Sequence, residues 1–103
     1  MPYFLGKRIS PRPTFPMDMT PQERKLMQDH VFYWTGHFEK GNILAFGPVA
    51  DPQGFWGLGL FEVENEEALR ALTGADPIIQ ADLGFKYKTY PMPQLVIRKP
   101  SAG

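Results

Sequence analysis

Cysteine is absent from this 103-residue chain. Its absence removes disulfide staples, a thiol nucleophile and any metal site that depends on thiolates. Histidine is scarce: His30 and His37 are the only two, too few for most zinc sites unless carboxylates complete the ligand set. Net charge is missing as well, because eleven basic and eleven acidic residues cancel. Nucleic-acid affinity rests mainly on an excess of Lys and Arg, so nucleic acid is not an expected partner. Long apolar runs are also lacking. Met1 to Ser10 contains no apolar core of the signal-peptide kind. The longest apolar stretch, Ile43 to Ala50, is interrupted by Gly and Pro and is far too short to span a bilayer. A cytoplasmic protein with no membrane partner is the expectation.

What is present is a globular composition. Apolar residues make up 43% and aromatic residues 14%, which excludes a disordered chain. The length suits one domain, residues 1–103, and a domain of this size buries roughly two thirds of the surface its unfolded chain exposes.

Along the chain, Tyr3 to Ile9 predicts a first strand. Ser10 to Met19, with Pro11, Pro13 and Pro16, predicts an extended loop, because each proline removes a donor and biases its predecessor away from the helical region. Thr20-Pro21-Gln22-Glu23 is a helix start with a cap, a first-turn proline and a capping-box acid. That helix is expected to run from Pro21 to about Lys40 and stop at Gly41. Its apolar stripe reads Leu26-Met27, Val31, Tyr33-Trp34 and Phe38. Ile43 to Phe46 predicts a second strand and Phe55 to Val63 a third, with Asp51-Pro52-Gln53-Gly54 as the turn between them. Asn65-Glu66-Glu67 opens a second helix that ends at Gly74. Asp76-Pro77 repeats the cap-then-proline signal for a short helical turn to Leu83. Phe85 to Tyr90 predicts a fourth strand, Gln94 to Lys99 a fifth extended piece, and Pro100 to Gly103 a loose tail.

The order is βαββαβ, and a sheet with both helices on one face is the simplest α+β layering. The third strand has two apolar faces, Phe55, Gly57, Gly59, Phe61 and Val63 on one and Trp56, Leu58 and Leu60 on the other. One face packs on the helices. The other needs a cover, and a second copy of the chain is the expected one.

Two residues suggest chemistry. His30 sits on the first helix at the edge of the buried stripe, and Asp51 lies just past the second strand. Alone, each has an ordinary reading, a half-buried histidine and a turn-forming aspartate. Together they suggest a dyad, because a carboxylate that accepts from one imidazole nitrogen fixes the tautomer and leaves the other nitrogen as a general base. His37 lies seven residues after His30, not the three or four a two-histidine metal site wants, and reads as a packing or solvent-edge residue. Asp76 reads as the cap before Pro77. Gly54, Gly57 and Gly59 enter a strand instead of opening a helix, so the dinucleotide-binding logic fails. They are expected to let a ring, helix or partner backbone approach the sheet closely. Phe15, Tyr33, Trp34 and Trp56 are the candidate aromatic walls of a small-molecule pocket.

Taken in order, Asp29-His30, Gly41 through Pro48, Asp51, Gly57 through Val63, Asn65-Glu66-Glu67-Ala68, Ala75-Asp76-Pro77 and Ala81-Asp82-Leu83-Gly84 resemble the YCII-related (YciI-like) family. The resemblance covers about Met17 to Tyr90. It implies a ferredoxin-like sandwich with an antiparallel sheet, a homodimeric α/β barrel, and a His-Asp dyad in a cleft beside the sheet, at His30 and Asp51 here. Some relatives are small-molecule lyases, including a dehydrochlorinase of aromatic degradation, and the fold is similar to that of muconolactone isomerases. The expectation is a lyase or isomerase that needs no metal or organic cofactor. The alternatives are a non-catalytic module that binds a small ligand or partner protein through the same cleft, and a heme- or quinone-handling dimeric barrel.

Overall fold

The computed structural model describes residues 2–98. Four strands, β1 (Tyr3–Ile9), β2 (Ile43–Val49), β3 (Trp56–Glu62) and β4 (Lys86–Met92), form one antiparallel sheet in the order β2-β3-β1-β4. The helices are α1 (Pro21–Lys40), α2 (Glu66–Gly74) and the single turn α3 (Pro77–Gln80). With β1 and β3 central and each βαβ half crossing over a helix, the architecture is α+β and ferredoxin-like.

Alternation along the strands decides which side chains meet the helices. Phe4 of β1, Ile43 of β2 and Phe61 of β3 share the inner face and form one core with Trp34 of α1 and Leu69 of α2. A second, smaller core gathers Phe15, Ile78 and Phe85, so the loop before α1 is anchored by its own aromatic residue. A Cβ on Gly59 would stand 2.7 Å from Phe61 Cζ, so glycine there lets the Phe61 ring lie flat along the sheet.

Local signals explain the element ends. Thr20 accepts from the Glu23 backbone while the Glu23 carboxylate accepts from the Thr20 N–H, a complete capping box. Gly41 closes α1 with φ +86°, the left-handed conformation glycine adopts without strain. Strand β2 continues past its expected end at Phe46 through Pro48 to Val49. As an edge strand it can carry a proline whose missing donor is not needed by a neighbour.

Several expectations are corrected. The 10–19 loop is not extended. Phe15 bonds back to Arg12, Met17 to Thr14 and Met19 to Pro16, a chain of tight turns, compatible with proline's fixed φ near −65°. The buried line of α1 runs Glu23, His30 and Trp34, flanked by half-buried Leu26, Met27 and Tyr33. Val31 and Phe38 lie on the open side, about half exposed. The helix is rotated away from the purely apolar reading because its polar residues have charged partners there: Glu23 takes a two-pronged ion pair from half-buried Arg12 at 2.7 Å, and His30 meets buried Asp76. Helix α3 stops at Gln80, short of Leu83, and 94–98 form no strand. The expected tail, Pro100 to Gly103, and Lys99 lie outside the described residues.

The Arg12 guanidinium holds the Glu23 carboxyl down at about 2, with help from the Thr20 backbone donor. A depressed carboxylate stabilises the fold above its unfolded value, 4.5, and loses that contribution as pH falls through its folded value. Glu23→Ala is therefore expected to lower the unfolding midpoint at pH 7, with roughly 1 kcal/mol from the cap alone. In denaturant titrations the gap from wild type should narrow between pH 4.5 and about 2.

Candidate functional site

Asp76 is fully buried, and the local sequence places it there. As the cap of α3 it accepts the Ile78 N–H on Oδ1 at 3.1 Å. Its other oxygen, Oδ2, points under α1 and meets three side chains: His30 Nδ1 at 2.7 Å, Trp34 Nε1 at 2.7 Å and the Tyr87 hydroxyl at 2.6 Å. His30 and Trp34 are four residues apart, one turn of α1, and so reach the same oxygen. Tyr87 comes from β4. A single carboxylate thus ties α1, α3 and the sheet together.

Burial pushes the Asp76 carboxyl up, but hydrogen bonds from His30, Tyr87 and Trp34 and the His30 charge outweigh it, and the group stays below the usual carboxylate value. An ionised Asp76 can only accept. Trp34 Nε1–H and the Tyr87 hydroxyl donate to it, and His30 must do the same from Nδ1. In the neutral imidazole that leaves Nε2 as the lone-pair nitrogen, and Nε2 has no hydrogen-bond partner among the described residues. Burial and the Asp76 charge push the Tyr87 hydroxyl well above its ordinary value, so it remains a neutral donor.

His30 borders a cavity of about 310 Å³ between α1 and the sheet. Its walls are mainly apolar, with Phe15 and Met19 from the loop, Met27 and Trp34 from α1, and Phe46 and Phe55 from the strand side. The floor includes Gly57 and Gly59, where the missing side chains keep it open. Arg8 and Tyr87, directly opposite one another in the β1–β4 register, add the polar end. Among the described residues no group of three or more His, Asp or Glu could hold a metal ion, and no helix is long and apolar enough to cross a membrane.

The sequence-derived site is redrawn by this geometry. His30 does not pair with Asp51. The Asp51 carboxylate accepts from the Gln53 backbone at 2.9 Å and from Trp56 Nε1 at 3.1 Å, bonds that hold it below its ordinary value. It faces a different, shallower hollow with Lys7 and Trp56. The reason is local: an aspartate two residues before an open backbone N–H closes its own turn. Trp56 leaves the site with it, on the outer sheet face beneath the Lys7 ammonium. Tyr33 also turns away and donates to the Leu72 carbonyl at 2.6 Å. Phe15 and Trp34 do border the His30 cavity. His37 packs edge-on to Tyr33 and bonds Asn42.

Sequence reasoning missed three residues. Asp76 was legible as a cap, and a cap oxygen leaves a second oxygen free for another partner. Tyr87 and Arg8 sit at inward positions of β4 and β1, and a charged residue at an inward strand position was the available signal for Arg8.

A model of the YCII-related domain matches residues 1–93, nearly the whole described chain. The chain belongs to the YCII-related family. No curated protein matches it. The match spans every segment that carries the sequence resemblance, Asp29-His30, Asp51 and Ala75-Asp76-Pro77 among them.

Asp76→Asn replaces an acceptor by a group that must turn a donor toward one set of buried donors. It is expected to cost about 2–3 kcal/mol at neutral pH, read as a lower midpoint in urea. Asp51→Asn, on the open turn, should leave the midpoint near wild type.

Proposed function

We infer that the cavity beside His30 is the active site of a lyase or isomerase acting on a small molecule, with His30 as the proton-transferring base and Asp76 as the group that orients it. The observation that carries this reading is the 2.7 Å contact between His30 Nδ1 and a buried, ionised carboxylate, with the opposite ring nitrogen unpartnered beside an apolar cavity. Asp76 acts as a positioning residue. It holds the tautomer and stabilises the imidazolium that forms when Nε2 accepts a proton.

The chemistry this supports is proton abstraction beside a carbonyl or within an activated ring. His30 Nε2 takes the proton, and the C–H electron pair becomes the new C=C bond. In elimination a leaving group departs from the neighbouring carbon with its own bonding pair. In isomerisation His30 returns the proton to a different carbon. Neither path asks for a metal or organic cofactor. Apolar walls limit water access and strengthen the electrostatic interactions inside.

The proposal includes a homodimer. The outer sheet face presents Leu60, Leu5 and Tyr90 in one row of the register, with Leu58 beside Lys7 and Lys88 in the next, and the α1 and α2 core residues pack on the opposite face. Sheet-to-sheet pairing of two copies would cover it. Leu60→Glu is expected to shift sedimentation from dimer to monomer. An unchanged dimer would place the interface elsewhere.

The functional test is a screen of small cyclic carbonyl compounds, with and without a halogen on the carbon next to the acidic C–H, for turnover or for solvent-deuterium exchange. His30→Asn should reduce any activity found by about 10²–10⁴-fold, and Asp76→Asn should reduce it with the fold retained. Ligand binding that survives both variants with no turnover by the wild type would instead favour the non-catalytic binding module.

A further inference from the structure

Arg8 is a buried charge that lines the same cavity, and nothing in the proton-transfer scheme uses it. Its side chain enters from near the C-terminal end of β1 and is only 5% exposed. Nε is buried with no hydrogen-bond partner among the described residues. Nη1 has only the Met27 sulfur, at 3.6 Å, a weak acceptor. The guanidinium lies near the Phe15 and Phe85 rings, at 5.9 and 5.7 Å. Among the described residues no carboxylate forms an ion pair with it. Asp76, whose charge acts on Arg8, already has its oxygens occupied by His30, Trp34, Tyr87 and the Ile78 N–H. Tyr87, opposite Arg8, gives its proton to Asp76 and is not an anion.

A cation in such a place is expensive to keep, because removing a charge from water without a partner costs several kcal/mol. Burial indeed pushes the Arg8 guanidinium below its ordinary value, although arginine remains charged in proteins. The fold also makes room for it. Gly57 faces Arg8 across the β1–β3 ladder, and a Cβ there would stand 3.1 Å from Arg8 Nε and 3.2 Å from Cζ. The missing side chain at Gly57 leaves the guanidinium its position against the floor.

We propose that Arg8 is the anion-recognition residue of this cavity, and that its ligand is a small ring compound carrying one carboxylate, seated on Arg8 with its ring among Phe15, Met27, Phe46 and Phe55. Arginine's planar fork matches a carboxylate with two parallel hydrogen bonds. One guanidinium balances a monoanion. A phosphate dianion would remain half-neutralised beside the ionised Asp76. The proposal rests on the reading of the cavity as a substrate site and names the class of substrate. In that arrangement Arg8 also faces the negative charge that develops when His30 removes a proton from carbon near the carboxylate.

The test is a binding panel on the full chain: benzoate, 2-furoate and cyclohex-1-ene-carboxylate, each against its own primary amide, followed by calorimetry and by the Arg8 Nε–H signal in NMR. Wild type should bind at least one acid ten-fold or more tightly than its amide, and that acid should shift the Arg8 Nε–H resonance. Arg8→Gln and Arg8→Lys should each erase most of that preference, with the amide's affinity unchanged. His30→Asn should keep the acid's affinity within about three-fold, so failure of the proton-transfer reading would leave this result standing. The proposal is overturned if no acid is preferred over its amide by wild type, or if Arg8→Gln retains the preference. The wild-type comparison decides the matter even if both Arg8 variants fail to fold.

Discussion

The structure turns on one carboxylate oxygen. Asp76 Oδ2 is buried among donors from α1 and β4, and the same side chain caps α3 through its other oxygen. A buried carboxylate without donors would protonate or destabilise the fold. This one has enough donors to stay ionised, and each donor belongs to a different part of the packing. Trp34 is the largest side chain of the main core, Tyr87 lies on the inner sheet face, and His30 borders the cavity. The interaction that orients the histidine is therefore also one that fixes α1 on the sheet, and stability and site geometry are not separable here.

The fold was largely readable from local chemistry. The capping box at Thr20 and Glu23, the left-handed stop at Gly41, the caps at Asn65 and Asp76 and the strand alternation around Phe61 set nearly every element within a few residues. Those signals are local, and the physics that generates them is local. The departures came from tertiary partners. Val31 and Phe38 look like core residues until Glu23 and His30 are seen to own the buried line, which they can occupy only because Arg12 and Asp76 meet them there. Pro48 looks like a strand end until β2 is known to be an edge.

The site was half legible. His30 stood out as one of two histidines on a helix facing the sheet, and Phe15 and Trp34 as candidate walls. Its carboxylate partner could not be chosen from spacing: Asp51 is 21 positions away along the chain and Asp76 is 46 away. Both stand before a proline, and both have an ordinary local reading, Asp51 as a turn former and Asp76 as a helix cap. What separates them is how the turn is used. Asp51 spends its oxygens on its own turn and on Trp56. Asp76 spends one on α3 and keeps the other for side chains distant in sequence. The sequence resemblance includes Asp76 within Ala75-Asp76-Pro77, but a capping role was sufficient to explain it there.

The central claim, that Asp76 holds His30 with its proton on Nδ1 and its lone pair on Nε2, is tested most directly by nitrogen-detected NMR of the His30 ring at a pH where the imidazole is neutral. The account predicts a single Nδ1–H tautomer in wild type, retained in Asp51→Asn and replaced by a mixture in Asp76→Asn. An Nε2–H tautomer in wild type, or a tautomer that responds to Asp51→Asn and not to Asp76→Asn, would contradict it.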